Sequence, residues 1–363
     1  MTPVIATVAP ALRDPAAPPV VSVVMAAYNG AALVGETLAS LGAQTMPDWE
    51  AVIVDDCSTD DTLAVLRGWP DPRVRVIAAE RNGGPVVARN IAFAQARGRY
   101  VAGLDHDDLC RPERFARQVA YLDRHRDVVL VGSAAAALAD GQLRPLPLAP
   151  VTSPALIEWL LRIENPLVWS SVMMRGDAAR TLDPFTRPEM VCAEDFDLYH
   201  RLARIGRIGR LDDELVVYRQ HGGGMSKRLR DKMHANATRV LAHAYAPVLG
   251  AGADAAAALV VRHVMGQLPV PDRATLHRLG ATLVALQEDF LDRPGLDDGD
   301  VRLIRWETAR RWARIGRAGL RTGGLDLGDA VAVRPEHVGL GYAGPEELIW
   351  SRLIGRARRL LKR

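Results

Sequence analysis

The sequence predicts an α/β fold with a mostly parallel sheet that carries helices on both faces, followed by a helical C-terminal region. Up to about residue 232, short β-branched runs alternate with helix-like stretches, a pattern typical of parallel sheets with crossover helices. From residue 233 onward, alanine, leucine and arginine recur at helical spacing and few strand signals remain. We therefore expect a disordered leader at 1–19, a sheet-containing domain at 20–232 and a helical region at 233–363.

Each predicted element rests on a local signal. The strands are short runs rich in Val and Ile, and Pro85 suits the first position of a helix. Ser58 or Thr59 is expected to cap the second helix, and the alanine- and proline-rich residues 134–154 are expected to be irregular. In chain order we predict a strand at 20–26, a helix at 31–43, a strand at 51–54, a helix after Thr59, a strand at 74–78, a helix at 85–97, a strand at 101–104, a helix at 112–126, and strands at 128–131 and 167–174; a helix then starts near Glu194, and a strand at 215–221 ends in three glycines.

The composition is that of an ordinary soluble globular protein. Of the 363 residues 48% are hydrophobic and 25% charged. A net charge of +3 and an aromatic content of 5% argue against a nucleic-acid-binding protein. The three cysteines are far apart and show no metal-ligand spacing, which favours a reducing compartment.

The chain start and its apolar runs predict the location. Residues 1–19 contain five prolines and lack a basic n-region, unlike a signal peptide. The run 128–139 is too short to span a bilayer. We therefore expect a cytoplasmic protein that can lie peripherally at the inner face of the membrane.

Polar clusters follow three of the predicted strands. They are Tyr28-Asn29, Asp55-Asp56 and the acidic run from Asp105 to Asp108. The carboxyl ends of parallel strands lie at one edge of a sheet, where open α/β folds bind ligands. Three acids within four positions repel one another, so a divalent cation held against phosphate oxygens would explain the run. A strand end followed by an Asx turn is the alternative.

These motifs resemble those of glycosyltransferase family 2, inverting transferases of the GT-A fold, which is Rossmann-like. The resemblance covers about residues 20–230. Two departures are Ala26, where a proline is usual, and Cys57, where the family has glycine. The similar segments are 22–29 (first strand and nucleotide loop), 54–60 (second-strand signature), 82–90 and 96–100 (before the metal site), 104–108 (the DXD motif) and Glu194-Asp195 (the ED motif), with His221 where GT-A enzymes often place a metal-binding histidine.

The resemblance implies a metal-dependent, inverting hexosyltransferase. It would move a sugar from a nucleotide-diphosphate sugar, by default a UDP-sugar, to an acceptor hydroxyl on a glycan or lipid-linked acceptor, in bacterial cell-surface polysaccharide or glycolipid synthesis. The residues implied are Asp195 and Glu194 for catalysis, with Asp195 as general base; Ala27, Tyr28, Asn29, Asp55, Asp56, Asn82, Gly84, Arg89 and Asp105 for the nucleotide sugar; and Asp107, Asp108 and His221 for Mn2+ or Mg2+.

Finer roles follow from the same resemblance. Asp55 or Asp56 would read the base and Tyr28 would pack on it, while Arg89 would lie near the phosphates. His106, in the middle of the acidic run, is expected to point away from the metal. Asp197 is left out of the catalytic set as a helix-surface acid.

Three other functions compete with this one. A sugar-1-phosphate nucleotidyltransferase needs a glycine-rich, basic loop after the first strand, and here no Lys or Arg follows that strand before Arg67. A catalytically silent nucleotide-sugar-binding scaffold would have lost acids at one of the motifs, and the acids are present. A dinucleotide oxidoreductase would show GxGxxG after the first strand, which is absent.

The last predicted helix is amphipathic and basic. Its apolar positions, Trp350, Leu353, Ile354, Ala357, Leu360 and Leu361, form one stripe, and arginines occupy much of the remainder. Such a helix can lie on an anionic membrane surface, or it can dock on its own domain with a solvated basic face. Both readings stay open at this stage.

Overall fold

A computed structural model describes residues 17–146, 148–220, 229–333 and 345–360. The chain forms two compact units. The first comprises the described residues among Met1–Leu146, Leu167–Thr186 and Asp213–His221, and the second those among Pro147–Pro166, Arg187–Asp212 and Gly222–Arg363. Of the predicted leader only residues 17–19 are described. The expected boundary between 232 and 233 does not coincide with a limit of either unit and stays a prediction.

One sheet contains nine strands. In chain order they are β1 (Val21–Ala27), β2 (Trp49–Asp55), β3 (Val74–Ala78), β4 (Tyr100–Gly103), β5 (Leu109–Cys110), β6 (Val128–Ala139), β7 (Gln142–Pro145), β8 (Met173–Arg175) and β9 (Arg207–Arg219). Their order is β3-β2-β1-β4-β8-β6-β9-β5, with β7 paired to β6. All residues of β1, β2 and β4 are buried, which explains their continuous apolar runs.

The described residues contain thirteen α-helices, seven before residue 229 and six after it. They are α1 (Val34–Gly42), α2 (Thr62–Arg67), α3 (Pro85–Ala94), α4 (Arg114–Arg124), α5 (Pro154–Leu161), α6 (Gly176–Arg180), α7 (Glu194–Leu202), α8 (Arg230–Leu249), α9 (Ala253–Val260), α10 (Arg273–Leu291), α11 (Asp298–Thr322), α12 (Leu327–Ala332) and α13 (Pro345–Leu360). The predicted helical C-terminal region is therefore confirmed.

The sheet is mixed, so the expectation of a mostly parallel sheet holds only for its first half. β3, β2, β1 and β4 are parallel, whereas β8 pairs antiparallel with both β4 and β6. The β6–β7 hairpin turns at Asp140 and Gly141, both with positive φ, as a two-residue hairpin turn requires. This hairpin lies where the sequence predicted irregular structure, because its alanine-rich strand lacks a strong strand signal.

Two further expectations were wrong in detail. The strand predicted at 167–174 is interrupted by a short 3-10 helix, Trp169–Ser171, and only its last two residues belong to β8. In α7, Leu198 and Leu202 are buried as expected, but Ile205 beyond the helix end is exposed.

The second unit has its own core. Trp159 of α5 donates its indole N–H to Thr308 of α11 at 2.9 Å, and its ring lies 5.7 Å from that of Phe290. Among the described residues, one helical stretch, Arg230–Met265, is long and apolar enough to cross a membrane by length and composition alone, a test that the core helices of soluble proteins also pass.

Candidate functional site

The acids that follow β4 come together in the structure. One carboxylate oxygen from each of Asp105, Asp107 and Asp108 lies within 4.8 Å of the others. Asp108 is buried, and burial, followed by the charges of Asp105 and Asp107, raises the pKa of Asp108 well above its usual value. Its Oδ2 atom is buried without a hydrogen-bond partner among the described residues. Repelling, incompletely satisfied oxygens of this kind fit a divalent cation.

Arg219, at the end of β9, fixes this acidic cluster in place. Its backbone N–H donates to Asp108 Oδ1 at 2.8 Å, and its Nε donates to the Asp107 carbonyl at 2.8 Å. Its Nη2 atom pairs with Glu36 of α1 at 2.8 Å. Sequence reasoning missed Arg219; the available signal was a cation two positions before His221 at a strand end.

Arg89 is paired with the first acid of the cluster. Its Nη2 lies 2.7 Å from Asp105 Oδ1, and its guanidinium is 4.7 Å from the centre of the Trp169 ring. The Ser170 hydroxyl accepts the Asp105 N–H at 3.0 Å. The predicted phosphate ligand Arg89 and the predicted donor ligand Asp105 are therefore in contact, and the missed residues Trp169 and Ser170 support them.

The two histidines of the prediction have different outcomes. The ring of His106 lies against Gly30, where an added Cβ would come within 2.1 Å of His106 Cδ2. His106 is thus outside the acidic cluster, as expected, and it requires glycine at position 30. His221 lies outside the described residues.

Asp55 and Asp56 have separate surroundings. The Asp56 carboxylate accepts the backbone N–H groups of Gly83 and Gly84, each at 2.8 Å, and its carbonyl accepts from the Asn82 amide at 2.9 Å. Asp56 therefore shapes the turn that opens α3. Asp55 accepts the Ser58 N–H through Oδ2 at 3.1 Å, while its Oδ1 is buried and has no hydrogen-bond partner in the described part of the chain.

The loops after β1 and β2 are joined by hydrogen bonds. Asn29 Oδ1 accepts the Thr59 N–H at 2.8 Å, and the Asn29 N–H donates to the Ser58 hydroxyl at 3.0 Å. Gly30 and Ala31 donate their N–H groups to Thr62 Oγ1 and Asp60 Oδ2. Asn29 therefore holds the two loops together.

Other residues of these loops differ in their exposure and geometry. Ala27 is buried, whereas Tyr28 is 45% exposed. Ser58 and Thr59 do not cap α2, because Asp60 accepts the Thr62 N–H instead. Cys57 has φ +58°, so this position does take the left-handed conformation that glycine favours, and its thiol contacts the Ala79 carbonyl at 3.0 Å.

Glu194 and Asp195 begin α7 in the second unit. Asp195 accepts the Asn165 amide through Oδ2 at 3.0 Å and the Phe196 N–H through Oδ1 at 2.7 Å. Glu194 is buried. Asp197 is buried, so the expectation of a helix-surface acid is wrong; it pairs with Arg201 at 2.9 Å and with Arg187 at 3.3 Å. Its exclusion from the catalytic set stays a prediction.

Solved structures with a similar fold are known transferases. Staphylococcus aureus TarS (residues 1–349), solved with UDP-GlcNAc, aligns over 94% of this chain and 91% of its own with a TM-score of 0.51 and 18% identity. The mannosyltransferase PcManGT from Pyrobaculum calidifontis, solved with GDP-Man and Mn2+, aligns over 95% and 89% with a TM-score of 0.52 and 19% identity. At these identities the likeness shows the fold, which is the GT-A fold with a helical C-terminal region.

Sequence comparisons identify the family. The succinoglycan biosynthesis protein ExoO of Rhizobium meliloti (strain 1021) is 42% identical over 149 residues, which are 39% of this chain and 42% of that protein. The putative glycosyltransferase EpsE of Bacillus subtilis (strain 168) is 30% identical over 216 residues, 58% of this chain and 76% of EpsE. Residues 22–180 match the family model described as Glycosyl transferase family 2. This chain belongs to glycosyl transferase family 2.

Proposed function

We propose that the protein is a metal-dependent, inverting hexosyltransferase. It takes a sugar from a nucleotide-diphosphate sugar and places it on an acceptor hydroxyl in bacterial cell-surface polysaccharide or glycolipid synthesis. The observation that carries this proposal is the acidic cluster at the end of β4, with a buried Asp108 that has an unsatisfied oxygen. The family and the biosynthetic names of its relatives supply the reaction class.

The cation, Mn2+ or Mg2+, would be held by Asp105, Asp107 and Asp108, with His221 as a further predicted ligand. When bound, it supplies positive charge to the diphosphate leaving group. Arg219 keeps both acids in position: its backbone N–H holds the Asp108 carboxylate, and its Nε holds the Asp107 carbonyl. Arg89 would stabilise the diphosphate by its charge, exchanging or sharing its contact with Asp105.

The nucleotide base would be read by Asp55 and not by Asp56. Asp55 Oδ1 is a buried acceptor with no partner among the described residues, so a base N–H can satisfy it. Both oxygens of Asp56 are already engaged by Gly83 and Gly84. Tyr28 is exposed enough to pack on the base. We propose a UDP-sugar as donor, the class bound by TarS, while PcManGT binds a GDP-sugar.

Asp195 is proposed as the general base that accepts the proton of the attacking hydroxyl. The hydrogen bond from the Asn165 amide sets the orientation of the Asp195 carboxylate. The preceding residue, Glu194, is buried. Proton transfer of this kind contributes about 10²- to 10⁴-fold in rate. Attack on the face opposite the leaving group inverts the anomeric centre.

Calorimetric titration with UDP, GDP and dTDP, each with Mn2+ and with EDTA, tests the donor site. We expect one nucleotide to bind only with Mn2+, and Asp107→Ala to abolish that binding. Asp127→Ala, which removes an exposed acid elsewhere in the first unit, is the matched control and should bind as wild type does. Asp195→Asn should keep nucleotide binding and lose transfer. Binding that is equal in EDTA, or equal in Asp107→Ala, would overturn the proposed metal site.

A further inference from the structure

Helix α13 docks within the second unit through a face of small residues. Leu348 and Ser351 are buried, and Gly355 packs so closely on α11 that an added Cβ would meet the Leu320 carbonyl at 2.2 Å. Glu347 also forms an ion pair with Arg317 of α11. These contacts fix which side of α13 faces the protein.

The apolar stripe of this helix is on a different side. Ile349 is 48% exposed, Trp350 66%, Leu353 48% and Ile354 37%. Three of these residues, Trp350, Leu353 and Ile354, belong to the predicted stripe, and Ile349 lies beside them. From here on, the name apolar stripe means these four residues. The alternative in which the helix docks on its own domain with a solvated basic face agrees with this docking and with the exposed Arg356. The contact runs through Ser351 and Gly355, because small residues permit closer packing of two backbones, and the apolar stripe stays exposed.

The charge around the stripe is strongly one-sided. Residues 350–363 contain six Lys and Arg and no acid, so they carry +6. The whole chain carries +3, which leaves −3 for residues 1–349. Arg356 is exposed and Arg352 is half-buried beside the stripe. Positive charge is thus concentrated at the helix that exposes four large apolar side chains.

We infer that the apolar stripe, with Arg352 and Arg356, is a docking surface for an anionic phospholipid bilayer. An exposed Trp among aliphatic side chains, flanked by arginines, suits the boundary between headgroups and acyl chains. A second copy of the same face would place Arg352 and Arg356 against the same two arginines, so charge disfavours self-association there. Residues 1–349 carry a net charge of −3, so their net charge does not attract an anionic surface. The net attraction therefore comes from this helix.

This surface does not depend on the proposed transfer reaction, so the two can fail separately. If the proposed transfer reaction is correct as well, docking would bring the enzyme to the membrane surface, where a lipid-linked acceptor would lie.

Co-sedimentation of the full chain with vesicles tests the inference. The vesicles contain phosphatidylcholine alone or with phosphatidylglycerol. We expect binding that requires phosphatidylglycerol and weakens with salt. Arg352→Gln with Arg356→Gln should weaken it about fivefold per arginine, and Trp350→Ser with Leu353→Ser by on the order of tenfold per side chain.

The matched control is Leu143→Ser, which removes a 53% exposed leucine from β7 and should leave vesicle binding unchanged. Unchanged binding by the Trp350 and Leu353 variant, or equal binding to neutral vesicles, would overturn the inference. A second result would also overturn the inference: the wild type runs as a dimer in size-exclusion chromatography and the Trp350 and Leu353 variant runs as a monomer. The stripe would then be a protein interface. Nucleotide titration of each variant confirms that it remains folded.

Discussion

Removal of the Asp56 carboxylate separates a turn-shaping role from a base-reading role. Asp56 is buried at the end of β2 and accepts two backbone N–H groups at 2.8 Å, from Gly83 and Gly84. Gly84 has φ +81° and is the N-cap of α3, the helix that carries Arg89. Asp56→Ala therefore leaves two N–H groups without their acceptor and removes a negative charge from a helix N-terminus.

The expected loss follows from these two bonds. A hydrogen bond to a charged group contributes about 1.5–3 kcal/mol, and partly exposed glycine N–H groups can recover some of this with water. We expect Asp56→Ala to lower the free energy of unfolding by about 2–4 kcal/mol, and Asp56→Asn, which keeps one acceptor, by about half as much. Urea unfolding followed by circular dichroism measures the change, and amide exchange across residues 80–90 measures local opening of the turn.

Asp55→Asn is the matched comparison. It keeps an acceptor for Ser58 but places an amide donor at the buried oxygen that has no partner in the described chain, so it should lose nucleotide binding with a smaller loss of stability. The opposite pattern refutes the reasoning: Asp56→Ala with unchanged urea midpoint and exchange but no nucleotide binding would make Asp56 the base reader.

Two further predictions concern a strained residue and a buried histidine. Cys57 has φ +58°, so Cys57→Gly should be more stable than Cys57→Ala by about 1 kcal/mol in urea unfolding, and equal stabilities would show that the left-handed backbone carries no strain. Burial lowers the pKa of His200 to about 4, from 6.5 in the unfolded chain, while its Nε2 contacts the Leu161 carbonyl at 2.9 Å. The unfolded state then binds the proton first, so stability should fall by up to about 3 kcal/mol as pH drops from 6.5 to 4. His200→Gln should remove most of this slope, and an identical pH dependence in the variant would contradict it.

The sequence predicted the buried parallel strands and the acidic cluster well, because both depend on local patterns. A run rich in β-branched residues, such as 74–78, defines a strand by itself, and that strand has the predicted bounds although its residues are only half-buried or exposed. Three clustered acids require an explanation even before their neighbours are known. The ion pairs of Asp197 cannot be predicted from the sequence, but its position in the first turn of a helix already favours a structural role.

The features that the sequence did not predict depend on contacts between residues far apart in the chain. Arg219 meets Asp108 across 111 residues, and no local pattern predicts which strand end faces which acid. Asp55 and Asp56 are chemically identical neighbours, and only the backbone of Gly83 and Gly84 distinguishes them. In α13 the apolar spacing was correct, but the docking face was set by the close approach that Gly355 permits, which hydrophobic periodicity does not register.

The hydrogen bonds between the loops after β1 and β2 have a consequence for changing what the enzyme recognises. Since Asn29 bonds to Ser58 and Thr59, neither loop can be exchanged alone without leaving polar groups of the other unsatisfied. Substitutions at these positions should be epistatic, with a double variant less damaged than the sum of two single ones. Grafting nucleotide specificity from a relative should therefore succeed only when both loops are transplanted together as one module.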